Sequence, residues 1–416
     1  MKILLLARYF PPEIGTAANL FYELAGGLAA EGHEITVITG FPWYNLESVP
    51  GKYRGRFFMR EEMHGFKVLR VAVPAPGPRK ARLALGHLTA PVTAFTGGLL
   101  SGRPDAIFAY SPPVFIGLAG WFLKKLKRAP FVMGVQDLHP QCYIDQGILK
   151  NRVLIRVLEA IEVFCYRKAT FITVHSEGNR DFIAEKKGIS REKIKTVSNW
   201  IDTDEIRPLP RENGFSARHG LNGRFVVGYA GTLGMSQGAP VIIEAARLLR
   251  REEGIFFFIV GDGIEKEGMM EKAGRYGLGN VGFLGMQPKC VYPYVLASSD
   301  LGLVTLNAKV KTPVVPSKIL GIMAAGRPVL ASLPLEGDSH RLIRDADCGI
   351  CVAPEDPKAL AEKVAWLAGN RRVCEKFGQN GREYIVKNLS LKKAVREVES
   401  LLNSFSNSLN TTGGPG

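Results

Sequence analysis

Acidic residues are scarce in this 416-residue chain: 39 aspartates and glutamates stand against 54 lysines and arginines, a formal net charge of +15. The deficit points to anionic partners, whether nucleic acid, an anionic membrane surface or phosphorylated small molecules, and does not choose among them. Metal-ligand spacing is also missing. Six cysteines are scattered, and only Cys348 and Cys351 form a C-x-x-C, without the second pair or spaced histidines that a zinc site needs. Their setting, "DADCGICVAP", reads as a strand carrying reduced, structural thiols. His33, His64, His87, His175, His219 and His340 occur singly, and no Ser-His-Asp arrangement can be argued. The glycine-rich stretch from Gly231 to Gly238 satisfies neither G-x-G-x-x-G nor a Walker loop. The "DTD" at Asp202–Asp204 falls in a linker-like stretch, which argues against metal binding there. Long apolar runs are absent too. Leu83–Gly102 approaches bilayer-spanning length, but His87, Pro91, several threonines and paired glycines dilute it, so it reads as interfacial or core. The N-terminal "MKILLLARYFPPE" lacks a small-residue cleavage site and reads as a first strand, not a signal peptide, so a cytosolic protein is expected.

What is present is a rhythm. Short apolar runs ("KILLLARYF", "HEITVIT", "KVLRVAV", "DAIFAYS", "PFVMGVQD", "FITVHS", "KIKTVSN") alternate with amphipathic stretches, and the pattern restarts at "RFVVGYAGTLG" and continues through "IFFFIVGDG", "NVGFLG", "LGLVTL", "RPVLAS" and "CGICVAP". Near-continuous apolar strands between helices predict parallel sheets covered on both faces. The length and the 46% hydrophobic content predict an α/β protein of two doubly wound domains, at 1–205 and 206–385. A polar-faced helix at 386–405 is expected to pack back on the first domain, and 406–416 to form a disordered tail.

Ligands of such sheets bind beyond the carboxyl ends of the strands, so the residues just after each strand are the candidates. Gly231, Gly234 and Gly238 lie between a strand and a helix, where backbone N–H groups can approach an anion, although plain turn glycines would look the same. In "VPSKIL", Ser317 reads as an N-cap, followed by Lys318 at the positive end of a helix. Together they could hold a phosphate; an ordinary capped helix with a solvated lysine would also give the pattern. Residues 52 to 82 carry Lys52, Arg54, Arg56, Arg60, Lys67, Arg70, Arg79, Lys80 and Arg82 against Glu61 and Glu62. The run reads as a solvated face, and Arg79, Lys80 and Arg82 with the apolar stretch after them as a contact to an anionic membrane.

"YFPPEIGTAANLFYELAGGLAAEGHEITVITGFPWY", "GKYRGRFFMREEMHGFKVLRV", "SPPVFIGLAG", "VQDLHPQ", "VSNWID", "GTLGMSQG", "VGDG", "GFLG" and "VPSKILGIMAAGRPVLAS" together resemble the retaining glycosyltransferases of family 4, and within them the L-fucosamine or amino-sugar transferases of bacterial surface polysaccharide assembly. The resemblance covers nearly the whole chain. It implies the GT-B fold and a nucleotide-sugar donor, UDP-linked, on the second domain. Base and ribose would lie near Gly261, Asp262, Gly263, Phe283 and Leu284. The diphosphate would lie among Gly231, Thr232, Gly234, Gln237, Gly238, Ser317, Lys318, Ile319 and the Gly15 loop. It implies Asp137 or His139 facing the sugar, Lys318 acting in catalysis, no metal and no other cofactor. The implied acceptor is a lipid-linked or growing glycan at the inner membrane face, with no nucleic acid. A nucleotide-sugar 2-epimerase on the same fold and a non-catalytic partner of an active transferase remain alternatives.

The chain departs from the family in four places. Thr232 and Gln237 stand where many members have Arg and Lys, and His139 where the subgroup has Trp. Gly321 stands where the family has a Glu that accepts hydrogen bonds from the donor ribose, and the upstream position that could substitute is Pro313. The expectation is a lost ribose contact that a glutamate would restore; the alternative is that another group fills the space.

Overall fold

The computed structural model describes residues 1–13, 15–43, 48–72 and 79–411, apart from the side chains of 79–84 and 406–411. It divides into two compact units, one of residues 1–199 together with 391–416, the other of residues 200–390.

The first unit holds β1 (Lys2–Ala7), β2 (Glu34–Thr39), β3 (Phe58–Met63), β4 (Phe66–Val71), β5 (Ala106–Ser111), β6 (Phe131–Val135), β7 (Phe171–Val174) and β8 (Ile194–Thr196) in one sheet, ordered β3-β4-β2-β1-β5-β6-β7-β8. All pairs are parallel except β3 with β4. Every residue of β5 and β6 is buried, as expected of strands covered on both faces. The covering helices are α1 (Thr16–Ala30), α2 (Arg79–Leu100), α3 (Ile116–Lys127), α4 (Gln141–Asp145), α5 (Arg152–Lys168) and α6 (Glu177–Lys187). The diluted apolar stretch is therefore helix α2, with Pro91 inside it and packed against α3. No helix among the described residues is long and apolar enough to cross a membrane.

β3 is not legible as an apolar run. Its sequence, FMREEM, alternates exposed and half-buried positions, as suits a charged edge strand. It supplies Glu61, which pairs with Arg70 of β4. Arg70, read from sequence as part of a solvated basic run, is wholly buried. Its Nη1 donates to the Gly40 carbonyl at 3.2 Å and its Nη2 to the Pro11 carbonyl, so one guanidinium ties together the loops that follow β1 and β2.

A C-terminal helix, Leu391–Thr411, returns to this unit and packs on α1, where His33 Nε2 meets Glu399 Oε1 at 3.1 Å. It starts at Leu391, not at 386, because residues up to Asn388 end the preceding helix. It also runs past residue 406 into the stretch expected to be disordered, since Leu401, Leu402 and Phe405 are buried and anchor that turn. Residues 412–416 lie outside the described residues.

The second unit is a parallel sheet of β9 (Phe225–Ala230), β10 (Ile255–Val260), β11 (Val281–Leu284), β12 (Leu301–Thr305), β13 (Val329–Ser332) and β14 (Gly349–Val352), ordered β11-β10-β9-β12-β13-β14. This is the doubly wound order in which the chain reverses direction between the first and fourth strands, here β9 and β12. Its helices are α7 (Gly214–Arg218), α8 (Val241–Leu248), α9 (Lys266–Arg275), α10 (Tyr292–Ala297), α11 (Ser317–Ala324), α12 (Asp338–Asp345), α13 (Pro357–Gly369) and α14 (Arg371–Asn388). Cys351 lies within β14, and the thiols of Cys348 and Cys351 are both free and pushed up to about 12 by burial.

Glu61→Ala would leave the Arg70 guanidinium buried without its counter-charge. Such losses cost about 3–5 kcal/mol, so the urea midpoint of the first unit should fall accordingly. A loss below about 1 kcal/mol, typical of an exposed pair, would show that the ion pair does not organise this edge.

Candidate active site

In the second unit, the turns at the carboxyl ends of β9 and β10 are pressed against each other. Gly231 N donates to Val260 O at 2.8 Å, and Leu233 N to Asp262 O at 2.9 Å. A Cβ on Gly261, whose φ is +159°, would stand 1.9 Å from the Gly231 carbonyl oxygen, so only glycine permits the approach. Gly263 meets the Leu233 backbone in the same way. The β10 turn is joined to β11 in turn: Gly261 N donates to Leu284 O at 3.0 Å, and the Asp262 carboxylate accepts from Met286 N at 2.7 Å and Lys266 Nζ at 2.6 Å. The bond from Lys266 holds that carboxyl below its usual range.

Lys318 lies across the β9 turn, at the point where the strand order reverses. A Cβ on Gly231 would meet its Cε at 2.5 Å. Its Nζ donates to Gln237 Oε1 at 2.6 Å and stands 5.3 Å from the centre of the Tyr229 ring. Burial pushes the ammonium down to about 8. Among the described residues its partners are thus a neutral amide and a ring face, and no carboxylate. Asn307, after β12, holds the same turn by donating from Nδ2 to Met235 O at 2.7 Å and from its backbone N to Ser236 O at 3.0 Å.

Ser317 is not the N-cap. Pro316 is, with φ −58° and ψ 129°, and its carbonyl accepts from Ile319 N at 3.0 Å. Extended ψ at the proline makes Ser317 the first helical residue. Ile319 is fully buried and its N–H is already used, which leaves it a core residue. Gly231, Thr232, Gly234, Gln237 and Gly238 gather in the β9 turn beside Lys318. Gly261, Asp262, Gly263, Phe283 and Leu284 form the adjoining β10–β11 end. Sequence reasoning missed Tyr229, Asn307 and Glu265. The carboxyl of Glu265 is pushed up by burial, with Oε2 lacking a hydrogen-bond partner. Tyr229 alone left a trace, as the one polar group in an otherwise apolar strand end.

In the first unit, Asp137 and His139 follow β6. Asp137 Oδ2 is 3.9 Å from His139 Nε2, and the imidazole is packed by Tyr143 at 4.7 Å between ring centres and by Cys142 Sγ at 3.5 Å from Nδ1. Burial pushes His139 down, with Asp137 opposing it. Gly15 caps α1 in an extended conformation, with open space where a Cβ would be. Among the described residues no three His, Cys, Asp or Glu side chains group closely enough to hold a metal ion.

Residues 15–200 match the family model for the glycosyl transferase 4-like domain, and residues 213–384 that for glycosyl transferases group 1. Between them the two models span most of the chain. It belongs to the glycosyltransferases. The transferase is 26% identical over 409 residues to WcaI of Escherichia coli K12, named for colanic acid biosynthesis, covering 95% of this chain and 98% of that protein. It is 28% identical over 310 residues to WbjE of Pseudomonas aeruginosa, named as a glycosyltransferase, covering 72% and 76%. Among solved structures, HepE from Anabaena in complex with UDP superposes with a TM-score of 0.72 at 19% identity, covering 97% of this chain and all of that one. A sucrose-phosphate synthase from Thermosynechococcus elongatus does so at 0.77 and 16%, covering 98% and 100%. The fold is GT-B, each unit being a Rossmann-like α/β layer structure.

In the transferase the space beside Gly321 is filled. A Cβ there would lie 2.8 Å from Tyr292 Oη and 3.4 Å from Leu296 Cδ1, both of α10. The position is buried and the space is taken, which overturns the expectation of a vacancy that a glutamate would refill. Burial pushes the Tyr292 hydroxyl up to about 12, so it stays a hydrogen-bond donor at any working pH. Gly321→Glu should therefore displace Tyr292 and lower the melting temperature by several degrees, a shift that corresponds to an overpacking cost of about 1–3 kcal/mol. Thermal unfolding that leaves the temperature unchanged or raised would show that the helix face accepts the carboxylate.

Proposed function

We propose that the transferase moves a sugar from a nucleoside-diphosphate donor, held by the second unit, to a lipid-linked or growing glycan, with retention of anomeric configuration. The observation that carries this reading is Lys318, an ammonium at the start of α11 that lies over a glycine turn and whose partners among the described residues are a neutral amide and a ring face. A diphosphate there would meet the ammonium, the positive end of α11 and the N–H groups of the β9 turn. As the bond to the sugar breaks, negative charge grows on the leaving diphosphate, and groups already aimed at it stabilise that charge without reorganising. Ribose and base would extend toward Asp262 and the end of β11, with the Tyr292 hydroxyl donating where the family has a carboxylate. Asp137 and His139 would serve the sugar and acceptor side. The UDP and UDP-glucose complexes of HepE support a uridine nucleotide. Amino-sugar relatives, the alpha-D-kanosaminyltransferase of Streptomyces kanamyceticus and the 2-deoxystreptamine N-acetyl-D-glucosaminyltransferase of Streptomyces fradiae, support an amino sugar. WcaI, named for colanic acid biosynthesis, supports a polysaccharide as the product.

Membrane association is part of the same reading. The side chains of Arg79, Lys80 and Arg82 lie outside the described residues. The rest of α2 carries solvent-exposed Leu88, Val92, Leu99 and Leu100, and other helices of the unit carry exposed Phe122 and Leu126 on α3 and Val153 on α5. Lys125, Arg128, Arg152 and Arg156 are exposed on or beside α3 and α5. Apolar side chains interspersed with cations suit an anionic lipid surface on the cytoplasmic side.

Titration of the protein with UDP tests the donor site. Charge-assisted hydrogen bonds are worth about 1.5–3 kcal/mol, so Lys318→Ala should weaken binding at least tenfold. Since the charged lysine binds and the free amine is held near pH 8, affinity of the parent should fall as pH rises from 7 to 9.5, with proton uptake on binding above pH 8. Lys318→Ala should flatten that dependence. Unchanged affinity in Lys318→Ala would reject the phosphate site.

Sedimentation with anionic vesicles tests the surface. Leu88→Ser, Phe122→Ser and Leu126→Ser combined should reduce the bound fraction at least tenfold, and binding equal to the parent would remove this face from consideration.

A further inference from the structure

The first unit contains a cavity of about 250 Å³ at the carboxyl ends of β1, β2 and β4, walled on its other side by α2. Arg8, the residue after β1, lines it and is only 7% exposed. Its guanidinium carbon stands 5.1 Å from the centre of the Tyr9 ring and 5.4 Å from that of Trp43. No described residue forms a hydrogen bond or ion pair with that guanidinium, in contrast to Arg70 nearby, whose donors meet Glu61 and two carbonyls. Its neighbour Tyr9 bonds instead to His87 Nε2, at 2.7 Å. Among the described residues no aspartate or glutamate lines the cavity, whereas the threonines Thr89 and Thr93 and the aromatic rings of Phe41 and Trp43 do. Space for the guanidinium is kept by Gly86 of α2, where a Cβ would stand 2.7 Å from Nη2.

A buried cation that lacks a counter-charge is costly, and ring faces repay only part of the lost hydration. An arginine fork held open in this way matches the two oxygens of a carboxylate or phosphate. The cavity is slightly smaller than drug-sized ligand sites, which suits a single sugar unit, and flat aromatic walls suit a sugar ring. We propose that this cavity binds an anionic sugar group, a carboxylate or phosphate carried on a hexose-sized ring, and that the group belongs to the acceptor. Its assignment to the acceptor rests on the transferase reading above; anion binding by Arg8 does not.

The test uses the full chain saturated with UDP, so that the donor site is filled, and measures binding of glucuronate, glucose 6-phosphate, inorganic phosphate and glucose by calorimetry, with Trp43 fluorescence as a second readout. Glucuronate or glucose 6-phosphate should bind at least tenfold more tightly than glucose, and the preferred one of the two identifies the group as carboxylate or phosphate. Inorganic phosphate binding as tightly as either sugar would overturn the sugar part of the proposal. Arg8→Met should abolish the preference over glucose while leaving UDP affinity unchanged. Gly86→Ala keeps the charge but crowds Nη2, and should weaken the same anions at least threefold; it decides the matter if Arg8→Met does not fold. Equal binding of glucose and glucuronate, or anion affinity unaffected by both variants, would overturn the proposal. A failure to bind UDP would instead reject the donor reading.

Discussion

Two backbone turns at the carboxyl ends of β9 and β10 are held closer than any side chain would allow, and the candidate donor site follows from that contact. Gly261 abuts the Gly231 carbonyl on one side of the β9 turn, and Lys318 extends across the same turn to Gln237. Asn307 fastens the same turn from the β12 side. The place where the strand order reverses is thereby held rigid by bonds within and between its turns, with a lysine across it that has no carboxylate partner among the described residues.

Three buried or half-buried cations show how position decides what a positive charge does. Arg70 is fully buried and satisfied by Glu61 and two carbonyls, so its work is structural. Lys318 meets a neutral amide and is depressed by burial, so its charge is available to an incoming anion. Arg8 is stacked against two rings, and among the described residues nothing accepts a hydrogen bond from its guanidinium. The chain's surplus of 15 positive charges thus includes both kinds, and only the surroundings separate them.

Much of this was legible beforehand. Thirteen strands coincide with the apolar runs read in the sequence, because parallel strands covered on both faces admit little else. β3 escapes, since an edge strand needs no apolar face and spends its residues on charge. The cap of α11 was misplaced by one residue, a matter of the ψ angle at Pro316. Gly321 could be seen as unusual for a helix interior, but its explanation lies in Tyr292 on another helix, and packing between helices leaves no mark at a fixed spacing. Arg8 likewise looks like no more than an interruption of an apolar run; its burial depends on Trp43 and α2, which the fold alone brings to it.

The C-terminal helix has a temporal consequence. His33 and Glu399 close a contact across 366 positions of chain, so the first unit to leave the ribosome is the last to be completed. The second unit is one continuous segment and can fold as soon as it has emerged. Meanwhile the surface of α1 that the last helix covers stays open for the whole of that interval, and any chaperone or nascent neighbour with an affinity for apolar helix faces has its opportunity then.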